Sequence, residues 1–189
     1  MRPSPDLPLE TERLLLRPFT RGDVDAVHAY RRREDVARYL FDAPMTRETC
    51  AEAIQARIRQ VSLAEENDRI TLAVERREDG ELLGEVTLIW RSVIDRIGEV
   101  GYILNPDHQG HGYATEAVRA LITMGFADID LHRIFARCST QNAPSFRLME
   151  RLGMRREAHF REHHLVKGRW DDEYVYALLR DEWPLLNPS

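Results

Sequence analysis

An apolar stripe between residues 114 and 126 is the strongest structural pattern in the sequence. Its members follow the i, i+3, i+4, i+7 spacing of one helix face: Ala114, Ala117, Val118, Leu121, Ile122, Gly125 and Phe126. Polar side chains (Thr115, Glu116, Arg119 and Thr123) fall on the opposite face. The pattern predicts an amphipathic helix that packs one side against another layer of structure.

The rest of the chain alternates between further helices and strands rich in β-branched residues. Helices are predicted at 20–30, 46–65 and 142–152. Strands are predicted at 13–19, 70–75, 82–90, 97–104, 133–139, 154–160 and 172–179. Asp79-Gly80 is typical of a hairpin turn between two of these strands. The order β-α-α-β-β-β-α-β-α-β-β indicates the α+β class, with a mixed, mostly antiparallel twisted sheet flanked by helices.

Composition limits the number of domains and the class of partner. The chain has 189 residues, 43% hydrophobic and 31% charged, and no repeat or linker divides it. We therefore expect a single domain covering residues 1–189. Its 27 Lys and Arg residues against 32 Asp and Glu give a formal charge of −5. This charge argues against nucleic-acid binding, which requires a concentrated basic surface.

The sequence also indicates a cytoplasmic protein with no membrane partner. Three prolines in the first eight residues interrupt the apolar run that a secretory signal requires, and no stretch approaches the roughly 18 apolar residues of a membrane span. Cys50 and Cys138 lie far apart, without the spacing of a zinc ribbon or a disulfide framework.

The segment Gln109-Gly110-His111-Gly112-Tyr113-Ala114 carries the clearest chemical signal. It lies between a predicted strand end and the start of the amphipathic helix, where glycines permit close backbone approach and unpaired N–H groups attract an anionic phosphate. A two-glycine segment is also compatible with a turn that only starts a helix. A Walker loop is excluded because the chain has no Gly-Lys-Ser/Thr string, and Thr115 fits a dinucleotide fingerprint poorly.

Residues 109–117 resemble the acetyl-CoA pyrophosphate loop of the GNAT superfamily of N-acetyltransferases. A second block, 142–154, is similar to the helix that follows in that superfamily. Similarity to the RimJ/RimL branch, which acetylates ribosomal-protein N-termini, extends to residues 9–17, 98–102, 168–170 and 182–183. Because that branch also contains enzymes for polyamines, aminoglycosides and other small amines, the acceptor stays open among an N-terminal peptide, a polyamine and an aminoglycoside-like amine.

The resemblance implies how acetyl-CoA would be held. Strands 97–104 and 133–139 would splay apart around the pantetheine arm, which backbone groups of Ile103 and Leu104 would bind. The pyrophosphate would be bound without a metal by backbone N–H groups of Gly110, His111, Gly112, Tyr113, Ala114 and Thr115. Gln109 and Asn142 would add side-chain contacts, although Asn142 is equally a good N-cap for the helix that it precedes.

Acetyl transfer by direct attack of a primary amine in a ternary complex requires a proton acceptor. Glu99 is the first candidate, since partial burial beside the thioester favours proton uptake by a carboxylate. A paired strand carboxylate explains Glu99 equally well, and Glu85 is the reserve. A backbone N–H near Ile103 or Leu104 would stabilise the oxyanion. Ser145 or solvent would protonate the leaving thiolate.

Two other interpretations remain open. The string His159-Phe160-Arg161-Glu162-His163 matches the His-x-x-Glu-His signature of some zinc proteases, which requires both histidines on one helix face. The flanking apolar residues follow no helical stripe, so a polar loop explains the string at least as well. A non-catalytic acyl-CoA-binding module on the same fold is the second alternative. We expect no metal cofactor, and a homodimer is a reasonable expectation.

Overall fold

In residues 5–40 and 42–183, which the computed structural model describes, eight strands form one sheet. The ends of the predicted 1–189 domain and part of the N-terminal segment considered as a signal lie outside this range. The strands are β1 (Leu9–Glu10), β2 (Leu14–Pro18), β3 (Arg69–Arg76), β4 (Leu82–Ser92), β5 (Ile97–Leu104), β6 (Arg133–Ser139), β7 (Arg155–Val166) and β8 (Arg169–Leu179). The α-helices are α1 (Val24–Arg31), α2 (Glu34–Ala37), α3 (Arg47–Arg57), α4 (Tyr113–Ala127) and α5 (Ala143–Arg151).

The strand order is β1-β2-β3-β4-β5-β6-β8-β7, and each neighbouring pair is antiparallel except β5 with β6. This arrangement confirms the predicted α+β class and the mixed, mostly antiparallel sheet. Within the described ranges, no helix is long and apolar enough to cross a bilayer.

Helices cover both faces of the sheet. The apolar stripe of α4 is buried against one face in the main core. Gly125 permits this close contact, because a Cβ there would lie 2.8 Å from Ile134 Cδ1. On the opposite face, α1 and α3 bury a second cluster that includes Tyr30 and Ile54 and packs on Ala73 of β3. Because strand side chains alternate, β4 and β5 present different residues to these two helical layers.

The parallel pair β5 and β6 opens into a fork. The two strands pair only where Ile97–Glu99 meets Arg133–Phe135. Beyond this point β5 continues alongside β4, while β6 follows β8. The splay expected from the family resemblance is therefore present.

Two local predictions differ from the structure in their extent. The helix predicted at 46–65 ends at Arg57, because the following chain pairs with β3: Thr71 N–H donates to Gln60 O at 2.8 Å, and Val61 bridges to Ile70. The string 159–163, for which a polar loop was one open interpretation, lies in strand β7, which continues the strand predicted at 154–160 as far as Val166. Its polar composition is compatible with a strand because pairing with β8 determines its conformation.

Candidate active site

A cavity of about 640 Å³ lies at the open end of the fork between β5 and β6. It is bounded by the end of β5, the following loop and the N-terminal turns of α4 and α5. Ten of the predicted site residues line it: Ile103, Leu104, Gln109, Gly110, Gly112, Tyr113, Ala114, Thr115, Asn142 and Ser145. The volume falls within the range of small-molecule and cofactor sites.

The turn before α4 presents unpaired backbone donors to this cavity. Gly110 and Gly112 have φ angles of +83° and +82°, in the left-handed region that favours glycine. A Cβ at Gly110 would meet no heavy atom within 4 Å, so the backbone conformation, not lack of space, requires glycine there. The first backbone hydrogen bond of α4 runs from Glu116 N–H to Gly112 O at 3.1 Å. The preceding N–H groups are therefore available to an anion at the positive end of α4.

Arg13, which directly precedes β2, contacts residues of this turn. Its Nη1 donates to His111 O at 3.0 Å, its Nε donates to Glu116 Oε2 at 2.7 Å, and its guanidinium lies over the Tyr113 ring. The Thr11 hydroxyl donates to Glu116 Oε1 at 2.6 Å. Burial opposes ionisation of Glu116, but the hydrogen bonds from Thr11 and Arg13 outweigh it and lower the pKa of Glu116. Among the predicted loop residues, His111 does not line the cavity.

Asn142 and Ser145 stand at the start of α5. Asn142 Oδ1 accepts a hydrogen bond from Ser145 N–H at 3.3 Å, so Asn142 is the N-cap of α5, and it also lines the cavity. Both interpretations of Asn142 are therefore compatible with the structure.

Tyr102 of β5 is a site residue that the sequence did not reveal. Its hydroxyl lies 2.9 Å from Ser145 Oγ and donates to Ser145 O at 3.0 Å. Burial raises the pKa of Tyr102, although the hydrogen bond with Ser145 opposes the shift, so its phenol keeps its proton at neutral pH. Burial also raises the pKa of the neighbouring Cys138 thiol to about 11, against a lowering contribution from Ser145. Cys138 is therefore a neutral thiol and not an activated nucleophile.

Glu99 and Tyr102 lie three residues apart on β5, so their side chains point to opposite faces of the sheet. Glu99 does not line the cavity. Its Oε2 accepts a hydrogen bond from Arg91 Nε at 2.6 Å, and its Oε1 accepts one from Arg137 Nε at 2.9 Å. Glu99 is 8% exposed. Both of its carboxylate oxygens are thus held by arginines.

Glu85 of β4 stands opposite Ile103 in the β4–β5 register and is also buried. Its Oε1 accepts a hydrogen bond from Arg57 Nη2 at 2.8 Å. Its Oε2 is buried and accepts no hydrogen bond from the described residues. Glu85 therefore keeps one carboxylate oxygen available next to the strand that borders the cavity.

The zinc-protease interpretation of the string 159–163 is wrong, because these residues do not form a helix. The string forms part of β7, so its histidines do not share one helix face. His159 Nε2 lies 2.8 Å from Asp172 Oδ2, whereas His163 Nδ1 lies 3.2 Å from Glu173 Oε1. The two histidines thus contact different carboxylates of β8.

Comparison with known proteins assigns this arrangement to a family. Residues 13–155 match the acetyltransferase (GNAT) domain. The protein named uncharacterized N-acetyltransferase YnaD from Bacillus subtilis (strain 168) is 34% identical over 175 residues, which cover 93% of this chain and 98% of that protein. A crystal structure of a GNAT-family acetyltransferase from Bacillus anthracis is similar with a TM-score of 0.83 at 32% identity, covering 93% and 99% of the two chains.

A second similar structure contains a coenzyme. Spermidine N-acetyltransferase from Vibrio cholerae, solved in complex with CoA and spermine, has a TM-score of 0.77 at 26% identity and covers 92% of this chain and 99% of that chain. The domain match spans the fork, the turn before α4 and all of α5. The chain therefore belongs to the GNAT family of N-acetyltransferases and is an acyltransferase.

Proposed function

We propose that the protein transfers the acetyl group of acetyl-CoA to a primary amine, by direct attack of the amine on the thioester in a ternary complex. One observation carries the proposal: a single cavity joins the anion-binding turn before α4 to the Ser145–Tyr102 pair. GNAT enzymes use acetyl-CoA, so membership of the family supports the identity of the donor.

The cavity offers each part of acetyl-CoA a matching partner. The N–H groups of residues 110–115 would hold the pyrophosphate, and Gln109 and Asn142 lie within reach as side-chain donors. The backbone of Ile103 and Leu104 would hold the pantetheine arm. Support for this comes from the fork, because within residues 5–40 and 42–183 no strand pairs with the β6-facing edge of β5 at these positions. Unpaired strand edges readily form backbone hydrogen bonds with an extended ligand.

We assign protonation of the leaving thiolate to Ser145, with Tyr102 as its proton source. The Ser145 hydroxyl would give its proton to the sulfur and recover one from the Tyr102 phenol, which solvent then reprotonates. The 2.9 Å contact between the two hydroxyls and the raised pKa of Tyr102 support this assignment, since the phenol remains protonated at neutral pH.

For the proton of the attacking amine, Glu99 remains the first candidate. It is the last residue of β5 that pairs with β6 and thus stands at the apex of the fork. Arg91 is 32% exposed, so this arginine can swing into solvent and free Oε2 of Glu99. Glu85, with its unpartnered Oε2, is the alternative.

The variants Glu99→Gln and Glu85→Gln distinguish these two bases. Loss of a general base reduces kcat by about 100-fold or more and removes the acid limb of the pH–rate profile. We expect this in Glu99→Gln, with Glu85→Gln as the matched control at a second buried carboxylate. An unchanged pH–rate profile in Glu99→Gln, together with loss of the acid limb in Glu85→Gln, would transfer the role to Glu85.

The pairing of the buried carboxylates supports an acceptor with one positive charge, such as the N-terminus of a peptide. A polyamine requires several unpaired carboxylates. In the part of the chain that the structure describes, each buried carboxylate already has an arginine within 4 Å: Asp23 with Arg17, Glu85 with Arg57, Glu99 with Arg91 and Arg137, and Glu173 with Arg137. We therefore propose a RimJ/RimL-like peptide acceptor in preference to the polyamine that the Vibrio cholerae relative is named for.

A thiol-release assay with acetyl-CoA across N-terminal peptides, polyamines and aminoglycosides tests this function. We expect the highest kcat/KM with a peptide N-terminus. Release with spermidine alone would overturn the acceptor assignment, and absence of both release and calorimetric binding of coenzyme A would overturn the function. We further propose a cytoplasmic location, compatible with the two free thiols, and a homodimer, which light scattering would detect as twice the chain mass.

A further inference from the structure

Strand β7 departs from regular geometry between Phe160 and His164. Its register with β8 shifts there, Glu162 has a φ of +48°, and Glu162 N–H donates to Asp172 Oδ1 at 2.8 Å. Neighbouring side chains of a regular strand point to opposite faces. Here the rings of His163 and His164 instead stack, with centroids 4.1 Å apart and an interplanar angle of 17°. The irregularity therefore brings two consecutive imidazoles to the same side of the strand.

Both imidazoles face the carboxylate of Glu173 on β8. His163 Nδ1 lies 3.2 Å from Glu173 Oε1, and His164 Nε2 lies 3.3 Å from Glu173 Oε2. Glu173 is 7% exposed. Its buried Oε1 accepts no hydrogen bond of regular geometry from the described residues, although His163 is close. A buried carboxylate oxygen in this situation requires another partner.

We propose that His163, His164 and Glu173 bind a divalent transition-metal ion of the Zn²⁺ or Ni²⁺ class. Their ligand atoms lie within 4.8 Å of one another. A tetrahedral zinc ion with bonds of about 2.0–2.1 Å places its ligand atoms roughly 3.3 Å apart, close to the nitrogen–oxygen distances of 3.2 and 3.3 Å, which run to the two different oxygens of Glu173. Imidazole and carboxylate together suit zinc and nickel, whereas magnesium and calcium prefer oxygen ligands alone. Three protein ligands leave a fourth position for water.

Arg137 is the charged group that opposes a cation at this site. Its Nη1 lies 3.8 Å from Glu173 Oε2, while its Nε donates to Glu99. The Arg137 side chain is 35% exposed and can withdraw towards Glu99 when an ion binds. Removal of the guanidinium should therefore strengthen metal binding, an effect opposite in sign to removal of a ligand.

The site is separate from the coenzyme cavity and from the zinc-protease string. None of its three residues lines the cavity. It shares His163 with the string but uses His164 and Glu173 in place of His159 and Glu162. Since His159 contacts Asp172 instead, the variant His159→Gln is a matched control on the same strand.

Calorimetric titration of the full chain, free of any affinity tag, with ZnCl₂ tests the proposal, and Co²⁺ absorbance reports the coordination geometry. We expect one equivalent of Zn²⁺, binding at least tenfold weaker in His164→Gln and Glu173→Gln, tighter binding in Arg137→Gln and no change in His159→Gln. MgCl₂ should not bind. Thermal unfolding by circular dichroism identifies a variant that does not fold, in which case His163→Gln replaces it.

Two outcomes overturn the proposal. The first is the absence of stoichiometric binding of Zn²⁺, Ni²⁺ and Co²⁺ to the unaltered protein. The second is equal weakening in His159→Gln and His164→Gln, which would indicate non-specific binding to surface histidines. Because the readout is metal binding itself, neither outcome depends on acetyltransferase activity.

Discussion

Replacing Gly110 with alanine perturbs the turn before α4 at one backbone dihedral angle. Gly110 has a φ of +83°, and an added Cβ would meet no heavy atom within 4 Å, so Gly110→Ala introduces strain without a steric clash. The left-handed conformation costs an L-residue about 1–2 kcal/mol. If the turn of Gly110→Ala adopts another backbone conformation in the free protein, binding of the coenzyme must restore the left-handed one. The affinity for coenzyme A then falls by the same free energy, about 5- to 30-fold.

Isothermal titration of coenzyme A measures this loss, and Gly80→Ala provides the control. Gly80 has a φ of +75° and equally open surroundings, but it lies in the turn between β3 and β4 and does not line the cavity. Because its turn relaxes in the free protein, we expect Gly110→Ala to bind coenzyme A more weakly with little change in Tm, and Gly80→Ala to bind it unchanged. Unchanged affinity in Gly110→Ala together with an unchanged Tm, which shows that the strain has been released, would refute the assignment of phosphate binding to this turn. Equal weakening of coenzyme A binding in both variants would refute the location of the phosphate site at this turn.

Two further predictions concern proton transfer and stability. Tyr102→Phe should lower kcat about tenfold with little change in the KM for acetyl-CoA, because Ser145 loses its proton source; steady-state kinetics with an unchanged kcat would contradict this. Since the pKa of Glu116 is lowered in the folded state, its stabilisation is complete above the unfolded value of about 4.3 and is lost as pH falls through the lower folded value. Between about pH 5 and pH 3 the Tm of the unaltered protein should therefore fall more steeply than that of Glu116→Gln, and parallel Tm curves would contradict the linkage.

The parts of the fold that local sequence predicts are those with local causes. The helix predicted from the apolar stripe corresponds to α4, which begins at Tyr113, because a 3.6-residue repeat and a preceding glycine need no information from distant residues. The glycine turn likewise adopts the left-handed angles that glycine permits. The resemblance, rather than any local pattern, predicted the fork between β5 and β6.

Predictions failed or were incomplete where distant partners decide the conformation. The helix predicted through residue 65 ends at Arg57 because Gln60 bonds to Thr71, and periodicity contains no information on that competing contact. The contact between Tyr102 and Ser145 joins residues 43 positions apart and exists only after β5 and α5 border one cavity. Sequence spacing alone does not predict such a pair.

The position of Glu99 links the fold to the proposed chemistry. Glu99 belongs to β5, and its two arginines come from β4 and β6, so the ion pairs tie three strands together where the fork begins. Removing one partner of a fully buried ion pair costs roughly 3–5 kcal/mol, and the cost at Glu99 is smaller because Arg91 and Arg137 are about a third exposed and water can solvate their charges. A substitution of Glu99 therefore combines a structural effect with any loss of a base. The structural effect changes coenzyme affinity and Tm, whereas loss of the base changes the pH dependence of kcat, so the two contributions are separable in the same variant.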